Sequence, residues 1–334
     1  MNTFQVINQI ARPVKPVVGR AYTSIVKNSL LRKYSPISTV VIETTSLCNL
    51  RCPGCYRTSH DYPSKNKNMK FEDFKLYVDQ LPPAFNLVMH GLGEPTINPD
   101  LLKMVKYAYG TKKFNRINFV SNALARKPVI YEELFANGLT DVRISVDSLN
   151  QEEVEKMRPG TNVELLKENL KYLLARFPDK ISIITVFSKV NAHTFEKTIE
   201  ELIELGAKDF RFQPYEDLGE STKCPSDAEK EEFLRIVDNF RKRGVNILSS
   251  SNFVPQKTPC YSLYFSPTIT VDGYLTPCCR IMDKAIFNFG NLKETSFKGL
   301  YFSKRVDKMQ KDMTQGKYPG FCDGCTNKHT CTSN

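Results

Sequence analysis

The sequence has no run of 18 apolar residues and no signal peptide at its start. The first absence argues against a membrane-spanning helix, and the second argues against export to an oxidising compartment. We therefore predict a cytoplasmic protein in which the ten cysteines indicate thiolate–metal chemistry rather than a disulfide framework. With 334 residues, 41% of them hydrophobic, the chain suits one large domain and a small one.

Acidic residues are absent from the first 42 positions, which hold six basic residues: Arg12, Lys15, Arg20, Lys27, Arg32 and Lys33. This segment supplies more than half of the net charge of +11, which favours anionic partners such as phosphorylated or carboxylated substrates, anionic lipid or nucleic acid. Apolar residues recur there at helical spacing, interrupted by Pro13 and Pro16. We predict that residues 1–37 are a basic N-terminal extension that packs on the rest of the chain or contacts a membrane surface.

Strand-like runs alternate with amphipathic helical segments between residues 38 and 250. The six runs are Thr39–Glu43, Leu87–His90, Ile117–Ser121, Val142–Val146, Ile181–Phe187 and Phe210–Phe212. Repeated βα units build a parallel sheet, and six of them predict an α/β fold with an open, partial (β/α)6 barrel. In such barrels the chemistry lies at the carboxyl ends of the strands.

Three cysteines, Cys48, Cys52 and Cys55, follow the first predicted strand with the spacing C-x3-C-x2-C. A structural zinc site would need a fourth ligand, and the nearest candidate, His60, lies beyond Cys55 in a polar loop. Three thiolates can instead ligate three irons of a cubane cluster and leave the fourth iron open to a small molecule. The spacing therefore favours an iron–sulfur cluster that does chemistry.

This loop resembles the cysteine motif of the radical S-adenosylmethionine (SAM) superfamily. The resemblance implies that the three cysteines hold a 4Fe-4S cluster and that SAM binds its open iron through amino and carboxylate groups. It also implies that one electron cleaves SAM to a 5′-deoxyadenosyl radical, which abstracts hydrogen from substrate carbon. The family often has an aromatic residue just before the third cysteine, where this chain has Gly54.

A glycine-rich segment after the second predicted strand resembles another element of the same family. His90-Gly91-Leu92-Gly93-Glu94-Pro95 is similar to the glycine-glycine-glutamate-proline element that holds the amino group of SAM. The resemblance implies cofactor-binding roles for Gly91, Gly93 and Glu94. An ordinary turn between strand and helix is the alternative.

Polar residues at the next strand ends complete the predicted cofactor site. Met157-Arg158-Pro159-Gly160 resembles the family segment whose arginine pairs with the SAM carboxylate, so Arg158 is the candidate, with Ser145 beside it. Asn122 ends the third strand. The alternatives are solvated polar residues at a barrel rim and a surface salt bridge for Arg158.

Arg211, Gln213 and Tyr215 leave the sixth predicted strand on one face, because side chains alternate along a strand. We predict that these three line the substrate side of the barrel. A structural ion pair is the alternative for Arg211.

The last part of the chain, residues 251–334, is rich in cysteine. Cys260-x12-Gly273-x4-Cys278 and Cys322-x2-Cys325-x5-Cys331 resemble SPASM, a cluster-binding extension of radical SAM enzymes, and its one-cluster form, Twitch. The resemblance implies a small α+β domain with a second 4Fe-4S cluster, whose predicted ligands are Cys260, Cys278, Cys322 and Cys325. Cys279 and Cys331 remain, either of which is an alternative ligand, and Cys331 is also a candidate hydrogen-donor thiol. Zinc on the same cysteines is the other alternative.

These features together predict a radical SAM enzyme that carries out a two-electron oxidation of a small, sugar-like or anionic molecule. The substrate is free or presented by a carrier, and the expected reductant is a flavodoxin or ferredoxin. A small substrate is favoured because residues 1–37 are too few for a separate peptide-binding domain. The alternatives are a maturase or epimerase of a peptide or protein and, outside enzymes, a zinc-stabilised binding protein. A nucleic-acid partner is not expected.

Overall fold

The computed structural model describes residues 37–215, 221–250, 260 and 262–323. The predicted basic extension, apart from its last residue Ile37, lies outside these ranges, and so do Cys325 and Cys331. The division of the chain at residues 37 and 250 stays a prediction.

Ten strands form one sheet in the order β10-β9-β8-β1-β2-β3-β4-β5-β6-β7. Neighbours from β1 to β7 are parallel, as predicted for repeated βα units. The strands are β1 Thr39–Ile42, β2 Ala84–Val88, β3 Phe114–Ser121, β4 Asp141–Ser145, β5 Ile181–Phe187, β6 Asp209–Pro214, β7 Asn246–Ser250, β8 Thr268–Ile269, β9 Tyr274–Thr276 and β10 Gly290–Asn291. The six predicted strands are confirmed, although β2 lies a few residues earlier than expected.

Helices connect the parallel strands and continue into the tail. They are α1 Tyr56–Ser59, α2 Phe71–Gln80, α3 Leu101–Gly110, α4 Ile130–Ala136, α5 Gln151–Met157, α6 Val163–Arg176, α7 Phe195–Glu204, α8 Asp227–Lys242, α9 Ser262–Phe265, α10 Phe297–Tyr301 and α11 Lys304–Thr314. The chain breaks between α10 and α11 at Ser303, which caps α11 by accepting a hydrogen bond from the Val306 amide. None of the helices in the described ranges has the length and apolar character needed to span a membrane.

The strand β7 is a part of the sheet that sequence patterning missed. Its five residues contain only two large apolar side chains and continue into a segment rich in Ser and Pro, which is typical of a linker. These residues form a strand because they pair with β6, with Asp209 opposite Asn246 and Phe210 opposite Ile247. Tertiary hydrogen bonding thus overrides a weak local signal.

The two faces of the parallel sheet differ sharply in chemistry. The outer face packs on the helices: Val142, Ile144, Phe210 and Phe212 are all fully buried, and the ring of Phe212 lies 6.1 Å from that of Phe233 on α8. The alternate positions of the same strands carry arginine and other polar residues, which point to the inner face. The expected alternation of β6 is therefore confirmed.

Curvature of the sheet brings its far strands together over the inner face. In a flat sheet, β6 would lie about 24 Å from β1, because neighbouring strands are about 4.8 Å apart. Yet the ring of Tyr215, directly after β6, is only 3.1 Å from the position that a Cβ atom on Gly54, in the loop after β1, would take. The sheet thus curves into a partial barrel that stays open, as predicted.

The tail joins the β1 side of this barrel. Its hairpin, β8 and β9, turns at Asp272-Gly273 as the sequence predicts, and β8 runs parallel to β1. On the inner face, Met282 of the tail packs against Val41 and Val88. The tail therefore extends the sheet and covers the apolar β1–β2 part of the inner face.

Candidate active site

The three motif cysteines lie in the loop between β1 and α1. The Cys55 amide donates to the Cys52 carbonyl at 3.1 Å, and the Leu50 amide donates to Cys48 Sγ at 3.5 Å. Burial raises the pKa of Cys48 and raises that of Cys52 to about 11, and the neighbouring Cys55 adds to both shifts. Three thiolates in such surroundings are stable together only beside the positive charge of a bound metal.

Gly93 allows the loop after β2 to lie directly on the beginning of the cysteine loop. A Cβ atom at this position would be 2.4 Å from the Thr45 carbonyl oxygen and 2.5 Å from that of Leu47. The Glu94 amide donates to the same Leu47 oxygen at 2.7 Å. Only glycine permits this approach of two backbones, which sets the glycine-rich loop beside the cysteines.

The carboxylate of Glu94 is fully engaged within the chain. Its Oε1 accepts from Thr96 Oγ1 at 2.7 Å and from Ser121 Oγ at 2.8 Å, and its Oε2 accepts from the Asn122 amide at 2.8 Å. The residue is 3% exposed, and burial raises its pKa. Glu94 therefore fixes the end of β3 against the glycine-rich loop, and its role in binding the cofactor stays a prediction.

One pocket contains the three rim residues that the sequence predicted for the cofactor. Asn122, Ser145 and Arg158 line it, together with Leu50, Leu124, Val146, Asp147, Ser148, Val154, Thr161 and Leu166. Asn122 Nδ2 also donates to Asn49 Oδ1 in the cysteine loop at 2.8 Å. The pocket therefore adjoins the cysteines at the carboxyl ends of β3 and β4.

Arg158 is held in this pocket by an ion pair that is largely buried. Its Nε donates to Asp147 Oδ2 at 2.6 Å, and the two side chains are 19% and 5% exposed. Burial opposes the charge of Arg158, but Asp147 and the Cys52 thiol more than offset it and raise the pKa of Arg158 above its usual value. Within the described ranges its terminal nitrogens donate no hydrogen bond, so the guanidinium retains donors for an anionic ligand.

Thr161 is a pocket residue that sequence reasoning missed. It is 3% exposed, and its Oγ1 is buried without a hydrogen-bond partner among the described residues. A buried hydroxyl without a partner is costly, which suggests that a ligand completes it. The available signal was its place directly after Met157-Arg158-Pro159-Gly160.

Glu43 is a second residue that the sequence did not single out. It is fully buried directly after β1, its Oε1 accepts from the Leu92 amide at 3.0 Å, and its Oε2 accepts from the Val271 amide at 3.1 Å. Burial raises its pKa to about 7. Glu43 thus joins the glycine-rich loop to the tail hairpin, and a Cβ atom on Gly91 would lie only 2.4 Å from its Cγ.

The three predicted substrate-side residues separate into different environments. Gln213 is exposed and Arg211 is partly buried, and no carboxylate among the described residues forms an ion pair with Arg211. Tyr215 is 6% exposed and packs against Gly54. Its ring therefore lies beside the loop position where the family often has an aromatic residue, which explains how glycine is accommodated there.

Two family models match the sequence. The Radical SAM superfamily model matches residues 42–202, and the SPASM model, described as an iron-sulfur cluster-binding domain, matches residues 260–326. The chain belongs to the radical SAM superfamily. The zinc alternative for both cysteine sets thereby loses its support.

Relatives with assigned names share this family. The chain is 30% identical over 175 residues to the AdoMet-dependent heme synthase of Methanosarcina barkeri, covering 49% of this chain and 47% of that protein. It is 27% identical to the sporulation killing factor maturation protein SkfB of Bacillus subtilis, covering 74% and 61%. It is 26% identical to the subtilosin biosynthesis protein AlbA of the same organism, covering 85% and 66%. The chain thus spans about half to two thirds of the length of these relatives.

The radical SAM fold is also seen in solved structures. Streptococcus suis SuiB bound to SAM superposes with a TM-score of 0.65 at 16% identity, covering 81% of this chain and 67% of SuiB. SuiB has also been solved with its precursor peptide SuiA. At this identity the likeness concerns the fold.

The residues of this chain fit the cofactors of the family, which are 4Fe-4S clusters and SAM. Three sulfur donors lie on one loop, the adjoining pocket contains a guanidinium with spare donors, and the buried Thr161 hydroxyl lacks a partner. In the described part of the chain, no three Cys, His, Asp or Glu side chains converge as ligands of a single ion would.

The SPASM region is described only in part. Burial raises the pKa of Cys278 far above its usual value, and the thiols of Cys279 and Cys260 add to this shift. Cys279 is exposed, and Cys322 ends a short helical turn, Gly320–Cys322. The predicted ligand Cys325 and the candidate thiol Cys331 lie outside the described residues, so the ligand set of the tail cluster stays a prediction.

Proposed function

We propose that this radical SAM enzyme modifies a peptide. The observation that carries the proposal is the match to SkfB and AlbA, which extends over 74% and 85% of the chain and thus includes core and tail. SkfB is named for the maturation of a killing factor and AlbA for the biosynthesis of a bacteriocin, and a third relative is named PqqA peptide cyclase. These matches favour the peptide alternative over the small-molecule oxidation that the sequence alone suggested, and the reaction type is left to the experiment below.

In this proposal the residues of the rim bind and orient SAM. Cys48, Cys52 and Cys55 hold the cluster, and the terminal nitrogens of Arg158, fixed through Asp147, pair with the SAM carboxylate. Ser145, Asn122 and Thr161 provide the remaining polar contacts of the pocket, and the backbone around Gly93 binds the amino group. When bound, SAM supplies a carbon-centred radical that removes hydrogen from substrate.

The tail is proposed to bind a second cluster through Cys260, Cys278, Cys322 and Cys325. A fully ligated cluster cannot bind substrate through iron, but it can accept an electron, which fits a net oxidation of the peptide. A redox-neutral epimerisation would need a hydrogen donor, for which Cys331 remains the candidate.

Anaerobic reconstitution with candidate precursor peptides encoded next to this gene tests the proposal. We expect about eight irons per chain for two cubane clusters, 5′-deoxyadenosine on addition of reductant and SAM, and a peptide whose mass changes. Loss of two hydrogens indicates oxidation or cross-linking, and deuterium uptake from heavy water without oxidation indicates epimerisation. SAM cleavage that is stimulated by a small anionic molecule, with every peptide unchanged, would overturn the proposal.

A further inference from the structure

Two arginines on the inner face of the barrel, Arg143 on β4 and Arg211 on β6, lack a carboxylate partner. Their strand neighbours Val142 and Phe210 are fully buried on the outer face, so both guanidinium groups extend over the inner face. Within the described ranges, neither arginine forms an ion pair. The Nε atoms of both are buried and have no hydrogen-bond partner there.

The hydrogen-bond partner of Arg143 is a neutral side chain. Its Nη2 donates to Asn118 Oδ1 at 2.6 Å, and Asn118 in turn donates to Asn86 on β2. His90 lies nearby, but burial and Arg143 lower the pKa of His90 to about 3, so it carries no charge at neutral pH. None of these groups compensates the guanidinium charge.

The nearest acids are already engaged by other partners. Asp141 accepts from Arg116 Nε at 2.5 Å and from Thr140 Oγ1 at 2.9 Å. Asp209 accepts from Asn246 Nδ2 at 2.6 Å. Both arginines therefore lie in partly buried surroundings without an ion pair of their own, where Asp141 and Asp209 offset the burial and the repulsion by other arginines only in part.

The pKa shifts of the pair agree with this geometry. Burial, followed by the charges of Arg211 and Arg116, lowers the pKa of Arg143 to about 10. Burial and Arg116 likewise lower the pKa of Arg211. Both cations are thus less stable here than in water, and an anion between them would reverse the shifts.

We propose that Arg143 and Arg211 form a binding site for an oxyanion, a carboxylate or phosphate group carried by the substrate. Two contacts place this site next to the chemistry. Ser145, two residues beyond Arg143 on the same face, lines the SAM pocket, and Tyr215 beyond Arg211 contacts the cysteine loop. Two residues of strand span about 7 Å.

The substrate class follows from that distance. A peptide held by an acidic side chain or its C-terminal carboxylate would present a nearby carbon to the SAM pocket. This choice of a carboxylate rests on the proposed peptide function, whereas the oxyanion site itself does not.

Thermal unfolding of the reconstituted full chain tests the site with acetate and inorganic phosphate, each compared with chloride at equal ionic strength. We expect the melting temperature of the wild type to rise in a saturable manner. Arg143→Met and Arg211→Met should each weaken the apparent anion affinity at least tenfold. Without anion, Arg211→Met should not lower the melting temperature, because it removes a repelling charge. Arg143→Met also removes the hydrogen bond to Asn118 Oδ1, so it should lower the melting temperature, but by less than Arg116→Met does. A stronger response to acetate favours a peptide carboxylate, and a stronger one to phosphate favours a phosphorylated substrate.

Two controls separate this site from structural and surface effects. Arg116→Met breaks the pair with Asp141 and should lower the melting temperature without anion. Arg235→Met, at an exposed pair with Glu232, should leave the anion response intact. The proposal is overturned if the wild type shows no anion response, if both inner-face variants retain it, or if both are destabilised like Arg116→Met. An intact anion response without peptide modification would instead count against the proposed function alone.

Discussion

The rim of the barrel and its inner face differ in how the charges of their residues are compensated. At the rim, Glu94 accepts hydrogen bonds from Thr96, Ser121 and Asn122, and Arg158 is paired with Asp147. On the inner face, Arg143 and Arg211 form no ion pair among the described residues, and their Nε atoms have no hydrogen-bond partner there. In our proposals the rim is preorganised for SAM, whereas the arginines of the inner face gain a compensating charge only from the substrate.

Removal of a motif cysteine is expected to have the largest effect on the function of the rim. Cys48→Ala, Cys52→Ala or Cys55→Ala should abolish 5′-deoxyadenosine formation, because two thiolates do not hold the cluster in place. Iron content and 5′-deoxyadenosine are the measurements. Cys279→Ala is the control and should still cleave SAM, since this thiol lies in the tail. Turnover of SAM by any of the three loop variants would refute their assignment as ligands.

The buried acid Glu43 gives the next largest effect. Its pKa of about 7, against an ordinary 4.5, means that the folded protein binds the proton more tightly than the unfolded chain. The associated stability is fully present below pH 4.5 and is lost as the pH rises through 7, by at most about 3 kcal/mol. Glu43→Gln mimics the protonated acid, so its unfolding free energy should depend less on pH than that of the wild type. Parallel stability curves between pH 5 and pH 8 would contradict the assignment.

Arg158→Ala should weaken SAM binding by about 1.5–3 kcal/mol, the contribution of a charged hydrogen-bonded contact. The substitution also leaves the buried Asp147 without its ion-pair partner, so the free energy of unfolding should fall as well. Arg158→Lys separates the two effects, because an ammonium can pair with Asp147 but cannot present the planar fork to a carboxylate. Calorimetry of SAM binding to both variants is the measurement. Unchanged affinity in both would leave Arg158 as a structural ion pair.

The contact between Gly54 and Tyr215 predicts a coupled pair. Gly54→Ala should destabilise the wild type by about 1 kcal/mol, because the new methyl group meets the tyrosine ring. The same change in a Tyr215→Ala background should cost little, which a double-mutant cycle of denaturant unfolding measures. Gly110→Ala is a matched control, since its Cβ atom would meet nothing within 4 Å. Additive effects of Gly54→Ala and Tyr215→Ala would disprove the contact.

Thr161→Val tests the smallest feature of the rim. Replacing an unpartnered hydroxyl with a methyl group should leave the stability of the SAM-free protein unchanged or slightly raised. SAM affinity should fall by about 1 kcal/mol, the contribution of one hydrogen bond. Equal SAM affinity in Thr161→Val and the wild type would show that the hydroxyl does not contact the cofactor.

Much of the fold and of the candidate cofactor site could be predicted from the sequence, because both depend on the spacing of neighbouring residues. The C-x3-C-x2-C loop needs only a few neighbouring residues to bring its thiols together, and alternation along β6 put Arg211 and Gln213 on one face. Six of the seven strands from β1 to β7 could be predicted for the same reason. Their hydrophobic pattern follows from burial of one face, which is a local property.

Contacts between distant residues were decided by the tertiary structure alone. Tyr215 packs on Gly54, and Glu43 accepts hydrogen bonds from Leu92 and from Val271, which is 228 residues away from it. The unpaired state of Arg143 depends on which strands flank it and on Asp141 being engaged by Arg116. Whether a charge is compensated is a property of everything packed around it, and no stretch of sequence specifies that by itself.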